Sequence, residues 1–559
     1  MRIKISNFLN MFPRIDERKL KDTAAAVAKD ADVTSGVIRP FYSLDFKQQL
    51  NDMGSETKTI HYFDYPNISG FFQFKDYVDI AYSPIADDQY RRVYWSGDSR
   101  DNGHLLYSYT PKLTNGAVFN PATWHRVGVP APTVAPIINS SSSTFTEDEL
   151  ADLSDEARIY VYTYVTETGE ESAPSPASGM VYTPHDNSTV EIGLLITDAN
   201  ASSGRVITKK RIYRSLTDSS GNADLYFVGE ILAAADTFTD TLDSHEINTQ
   251  DPLPTIAWDI PRQGMSGLGV TPKGVNYAFI GKIACFTVPY HPYAWSRDYE
   301  VTLQYDIVAM GHYENYILCA TTGTPYIISG IDPSSTSVDE LPLNEPCISK
   351  RSLVSMAKCV CYASPNGIVM AYGSTAKLVS DSFFDKDTWA ALKPESIHAV
   401  EHRGKYLFFY DNGTEKGAFL FDPLQVDFGI VRLDMWYKAA TRHHQTEQLF
   451  FLGDANKVYY FNDISPEKRS FTWRSKLFDV GGRGARMLCA QVIANTYENI
   501  TIRIYADGKL IREHKVLDRR PFRLHNHSPR FDWQIEVTGT SEVSDIYLAE
   551  SMLELAKNG

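Results

Sequence analysis

No stretch of this chain approaches the roughly 18 consecutive apolar residues that a membrane-spanning helix needs. The opening Met1-Arg2-Ile3-Lys4-Ile5-Ser6-Asn7-Phe8-Leu9-Asn10 also lacks the apolar core of a signal peptide. These two absences predict synthesis in a cytoplasm and no membrane-spanning segment. Cysteine is scarce: six in 559 residues, at 285, 319, 347, 359, 361 and 489, with no CxxC pair. The thiols read as small buried apolar residues in a reducing compartment, not as metal ligands. Positive charge is in deficit. Lys and Arg number 54 against 69 Asp and Glu, so the net charge is −15 and a general nucleic-acid binder is disfavoured. A surface that nucleic acid slides past without sticking is not.

Catalytic signatures are missing as well. Gly281-Lys282 has no glycine five residues earlier, so no phosphate-cradling loop is encoded. Gly264-Met265-Ser266-Gly267-Leu268 ends on Leu where a nucleophile elbow needs Gly. His525-Asn526-His527 and His443-His444 have no acidic or thiol partners at ligand spacing and read as surface or loop histidines. The cluster Glu147, Asp148, Glu149, Asp152, Asp155 and Glu156 lacks the alternation and glycine of a calcium loop. Ser99-Arg100-Asp101-Asn102-Gly103-His104-Leu105-Leu106 matches half of an Asp-box turn, once only, with Leu106 where an aromatic belongs. The expectation is a protein that is not an enzyme and carries no cofactor or metal.

What is present is strand-forming. Tyr 33 and Phe 28 supply most of the aromatic content, and 43% hydrophobic residues are ample for buried cores. Between about residues 316 and 461 one cell recurs four times: apolar strand, tight turn, apolar strand. Tyr316 to Cys319 precedes Tyr326 to Ile328; Cys359 to Ala363 precedes Ile368 to Tyr372. Tyr406 to Tyr410 precedes Ala418 to Phe421, and Leu449 to Leu452 precedes Val458 to Phe461. The turn glycines 323, 367, 413 and 453 are 44, 46 and 40 residues apart, and a positive φ is expected there. That period, with one hairpin per cell, is how β-propeller blades look in sequence.

The chain therefore reads as all-β, with almost no helix: a β-propeller of about five to seven blades, interrupted by a fibronectin type III-like β-sandwich and followed by a C-terminal β-sandwich. Residues 1–45 form an N-terminal arm, in which Asp22-Thr23 is placed to cap a short helix through Ala24 to Ala28. Residues 46–129 hold the first blade or blades. The breaker-rich stretch from Pro130 to Ser143 opens the inserted sandwich, 130–256, with Arg158 to Thr166 alternating strictly. Residues 257–475 hold the remaining blades and 476–559 the second sandwich.

Three stretches go beyond architecture. The arm Pro13-Arg14-Ile15-Asp16, Leu20, Ala24-Ala25-Ala26, Ala28 and Gly36-Val37-Ile38-Arg39-Pro40 is one. The others are Gly281 to Phe286 with Pro289 to Trp295, and Trp473-Arg474-Ser475-Lys476 with Tyr505 to Gly508 and Pro521 to Leu524. Together they resemble phage virion structural proteins of the tail nozzle (tail tubular protein B-like) family of short-tailed phages. The resemblance implies a ring, hexameric in that family, that conducts genome DNA in the virion tail during ejection. Its partners would be copies of itself, an adaptor or portal-side tail ring, tail fibre or tip proteins, and double-stranded DNA passing without specific binding. Synthesis would be in the bacterial host cytoplasm. Arg14, Leu20, Arg39 and Pro40 are the expected interface residues, with the arm ordered mainly by contact with another part of the assembly. The alternative is a sugar- or receptor-binding propeller, an adhesin or glycosidase-like protein.

Overall fold

Each of the four sequence cells folds as a hairpin: Tyr316–Thr321 with Tyr326–Ser329, Val360–Ser364 with Gly367–Tyr372, Lys405–Asp411 with Lys416–Phe421, and Leu449–Leu452 with Lys457–Asn462. Their apolar runs are continuous because both faces are covered; all of Val360–Ser364 is buried. The turns obey a more mixed chemistry than expected. Gly413 does take a left-handed φ of 84°, but Gly453 sits at −93° and Ala455 and Asn456 turn the chain at 52° and 55°. Gly323 is needed for space instead: a Cβ there would lie 2.7 Å from the Tyr305 ring.

The computed structural model describes residues 1–52, 56–65, 68–108, 118–119, 124–146, 155–197, 205–217, 223–330, 335–443, 445–525 and 527–556. It is all-β and built of many small sheets. Six of these, and four strands of a ten-stranded sheet (F), follow one another along the chain and are called A to G here. Sheet A holds Thr59–Tyr65 and Ile68–Phe74, with Val118–Phe119 beside them. Sheet B holds Asp79–Tyr82, Val93–Ser96, Leu106–Ser108 and His125–Arg126. Sheet C runs from Ser266–Val270 to Val301–Thr302, D from Ile307–Tyr313 to Ser337–Glu340, and E from Val354–Ser355 to Thr375–Leu378. Sheet F runs from His398–His402 to Val431–Leu433. Sheet G joins Ala439–Arg442, Leu449–Leu452 and Lys457–Asn462 to Ser43–Gln49, a strand from the start of the chain.

Every sheet shares a core with the next. Phe63, Phe72 and Trp95 join A to B; Tyr94, Tyr107 and Leu268 join B to C. Tyr277 and Met310 join C to D, and Tyr313, Leu318 and Tyr362 join D to E. Cys361, Met370 and Phe408 lie in the core common to E and F, and Phe409 meets Phe451 of G at 6.1 Å. The succession then returns to its start: Tyr62 of A lies 4.5 Å from Phe450 of G, with Ile60, Phe71 and Leu452 around them.

Residues 137–240 contribute separate sheets. Tyr160–Thr166, Ile207–Thr217 and Ala223–Leu232 face Ile137–Ser143, Ser188–Gly193 and Phe238–Asp240 across a core of Tyr160, Tyr162, Tyr164, Val190, Ile192 and Ile212. At the other end, Cys489–Ala494 pairs with Val543–Ala549, and Asp532–Gly539 lies between Phe471–Ser475 and Ile500–Ala506. Phe471–Ser475, read from sequence as the last of the blade region, is thus a strand of the C-terminal unit.

The arm departs most from expectation. Ala25–Lys29 is a strand, not a helix: it pairs antiparallel with Phe471–Ser475, and Lys29 pairs with Arg432 of sheet F. Alanine's helix preference is worth only tenths of a kcal/mol per residue, less than two rows of ladder bonds with Ala25 and Ala28 fully buried. Arg2–Ile5 extends the C-terminal sheet along Val543–Ala549. Ile5 and Phe8 are buried, and Phe8 meets Trp473 edge-on at 4.9 Å. The arm is ordered by its own chain.

Candidate functional site

The residues expected at an interface do not gather in one patch. Arg14 donates to the Asp381 carbonyl, and Leu20 is buried. Arg39 pairs with Glu542 at 2.8 Å with half its side chain exposed, and Pro40 faces Ala31 in a two-residue ladder. These positions fasten the arm to the E–F connection and to the C-terminal unit.

A polar cavity forms where sheets A, B, E, F and G converge on their first strands. It holds about 170 Å³ and is lined by Lys58, Tyr77, Asp79, Lys350, Arg351 and His398, with small or aliphatic residues between. Lys350 and Arg351 belong to the short 3-10 turn Lys350–Ser352 that leads into sheet E. The Lys350 ammonium reaches Asp79 at 2.5 Å and the Ser266 hydroxyl at 2.8 Å, so one side chain ties E to B and C. The same Asp79 oxygen accepts from the Gly267 amide at 2.8 Å and the Ser96 hydroxyl at 3.2 Å.

Arg351 donates to the Lys438 carbonyl at 3.1 Å and lies 4.7 Å from the Tyr77 ring centre. Lys58 approaches that ring to 5.2 Å. Burial draws the Arg351 pKa below the usual arginine value, because no carboxylate compensates it. Burial, reinforced by the Arg351 charge, pushes the His398 imidazole down to about 3, so it is neutral. Among the described residues lining the cavity, Asp79 is the one carboxylate, and it is already engaged. A glycosidase's pair of carboxylates is not assembled there.

A second junction ties the inserted unit to sheet B. Arg92 pairs with Asp88 at 2.8 Å and with Glu170 at 3.1 Å, all three nearly fully buried. Tyr90 donates to the Glu167 carbonyl at 3.0 Å, and Arg205 donates to the carbonyls of Gly128 and Arg126. On the inserted unit, Asp186, Asp243 and His245 lie close together, but Asp243 already accepts from the Asn187 amide and His245 is exposed. His527 bonds backbone carbonyls and His443 bonds Thr446. His444, Asn526, Glu147, Asp148, Glu149 and Asp152 lie outside the described residues.

Sequence reasoning missed Asp79, Lys350 and Arg351. Two adjacent cations before the apolar run Leu353-Val354 were the available signal, and only the sheet order says that they face an aspartate 271 residues away.

No family model and no curated protein matches this chain. Among solved structures it is similar to apo AztD from Citrobacter koseri, with 10% identity over 68% of this chain and 99% of that one, at a TM-score of 0.26. It is also similar to the exo-beta-1,3-galactanase of Phanerochaete chrysosporium, with 9% identity over 84% and 95% of the two chains, at 0.18. The N-terminal part of BBS1 aligns at 9% identity over 53% of this chain and 84% of that one, at 0.25.

Proposed function

We propose that this chain is a non-enzymatic structural subunit of a phage tail, a seven-bladed β-propeller with two attached sandwiches that assembles with its own copies into a ring, six in number. In this reading the ring lies in the virion tail, conducts genome DNA and offers attachment to an adaptor ring above and to fibre or tip proteins beside it. The observation that carries the reading is where the tail-nozzle-like stretches fall. The first and third meet in the fold: Ala25 pairs with Ser475 and Ala28 with Trp473 in one antiparallel ladder. The motifs are joints of a rigid body, as a load-carrying subunit requires.

Further support comes from the strand Ser43–Gln49, which completes sheet G and locks the blade succession with its own beginning. Lys350 ties sheet E to B and C beside the polar cavity, and in this reading DNA passes between subunits and not through one. A net charge of −15 per copy keeps phosphate from adhering to the bore.

The second reading, a sugar- or receptor-binding propeller, is favoured by the polar cavity, which gives a ligand room. Native mass spectrometry and electron microscopy of the purified chain, alone and with neighbouring tail proteins, separate the two. Six-fold rings with an acidic or neutral bore are expected. A chain that stays monomeric with those partners and binds glycans would overturn the assembly reading, as would a continuous basic track through the bore.

A further inference from the structure

We propose that the polar cavity lined by Lys58, Tyr77, Asp79 and Arg351 binds a small oxyanion, a carboxylate or a phosphate group, between the Arg351 guanidinium and the Lys58 ammonium. Three cations face this cavity, Lys58 just before sheet A and Lys350 and Arg351 on the turn before sheet E, and the one carboxylate among the described lining residues, Asp79, is committed to Lys350, the Gly267 amide and the Ser96 hydroxyl. Among the described residues, neither Arg351 nor Lys58 has an acidic partner within ion-pair distance. Asp76 lies within electrostatic range of Lys58, but the Ser99 amide and hydroxyl hold its carboxylate at 3.0 and 2.7 Å.

A partly buried guanidinium without a counter-charge is costly, and a charge-assisted hydrogen bond to an incoming oxyanion relieves that cost. Tyr77 places the two cations, each about 5 Å from its ring centre. The open volume of about 170 Å³ admits a few waters at about 30 Å³ each, or a single oxyanion with its nearest substituents. Both cations offer only donors. A neutral sugar would also need acceptors, and the available carboxylate is spent, so the chemistry selects an anion. The site stands whether the chain works in a tail or as a receptor binder, since its test reads binding and not assembly.

The test is titration of the full chain at low salt with inorganic phosphate and, separately, with acetate, followed by calorimetry and by ligand NMR. Arg351→Gln and Lys58→Gln are compared with the unaltered chain. Saturable binding of either anion, weakened at least about tenfold in both variants at unchanged melting temperature without anion, is the expected result. Phosphate alone binding would assign a tetrahedral dianion, and acetate binding a carboxylate. Absence of saturable binding at tens of millimolar anion would overturn the proposal. So would binding that survives both substitutions. Lys58 precedes the first strand of sheet A, apart from the turn that holds Arg351, so Lys58→Gln decides the matter if Arg351→Gln does not fold.

Discussion

Arg92, which leads into sheet B, and Glu170 of the inserted unit meet at 3.1 Å with side chains 4% and 1% exposed, so the two units share a buried charge pair and not merely a linker. Burial raises the Glu170 carboxyl, with Arg92 and Arg205 opposing it, while Asp88 completes the balance around Arg92. Removing one partner strands the others. Arg92→Met is expected to destabilise by about 3–5 kcal/mol, and the Arg92→Met, Glu170→Gln, Asp88→Asn triple variant by clearly less. Urea unfolding of the three proteins measures the difference.

The same pair changes the expectation for the inserted sandwich, residues 130–256. From sequence it reads as a peripheral unit that can be cut out with the rest left folded. Excision leaves Arg92 and Asp88 without Glu170 and opens the face around Tyr90. Deletion with Arg92 retained is expected to lower the melting temperature, and adding Arg92→Thr and Asp88→Thr to recover part of it. Equal stability with and without those substitutions would show that the junction is energetically silent.

Truncation of the arm should now fail for a folding reason. Residues 1–20 supply the strand Arg2–Ile5 and the buried Ile3, Ile5, Phe8 and Met11. Phe8→Ala is expected to cost about 3–5 kcal/mol through the cavity left against Trp473. Deleting residues 1–20 is expected to give aggregated protein, because Val543–Ala549 becomes an open strand edge. Size-exclusion chromatography and thermal unfolding check both. A soluble truncation with unchanged melting would mean that the arm is dispensable to the fold and free for another role.

Two buried histidines make stability depend on pH. His398 and His402 are each 6% exposed, and burial is the main cause of pKa values lowered from 6.5 to about 3. The folded state holds them neutral, while the unfolded chain protonates them near 6.5. Their contribution is present above pH 6.5 and is lost as pH falls toward about 3. The slope is up to about 1.4 kcal/mol per pH unit for each histidine. His398→Gln is expected to flatten the decline measured by urea unfolding between those limits; an unchanged slope would exclude His398 as a cause.

The sequence alone was enough for the all-β class and the four hairpins. Those features are written in local runs: an apolar stretch, a turn, another stretch, or strict alternation as in Arg158 to Thr166. It misplaced Ala25–Lys29 because a run of alanines is locally helical and only the ladder with Phe471–Ser475, more than 440 residues away, decides otherwise.

Tertiary structure alone decided which strand completes sheet G, what the arm rests on and which charges face the polar cavity. Ser43–Gln49 joins Lys457–Asn462 across most of the chain, and Lys350 reaches Asp79 and Ser266. Pairings of that kind depend on register and sheet order, which follow from burying all the cores at once. No window of sequence contains both partners, so their chemistry becomes visible only when the fold brings them together.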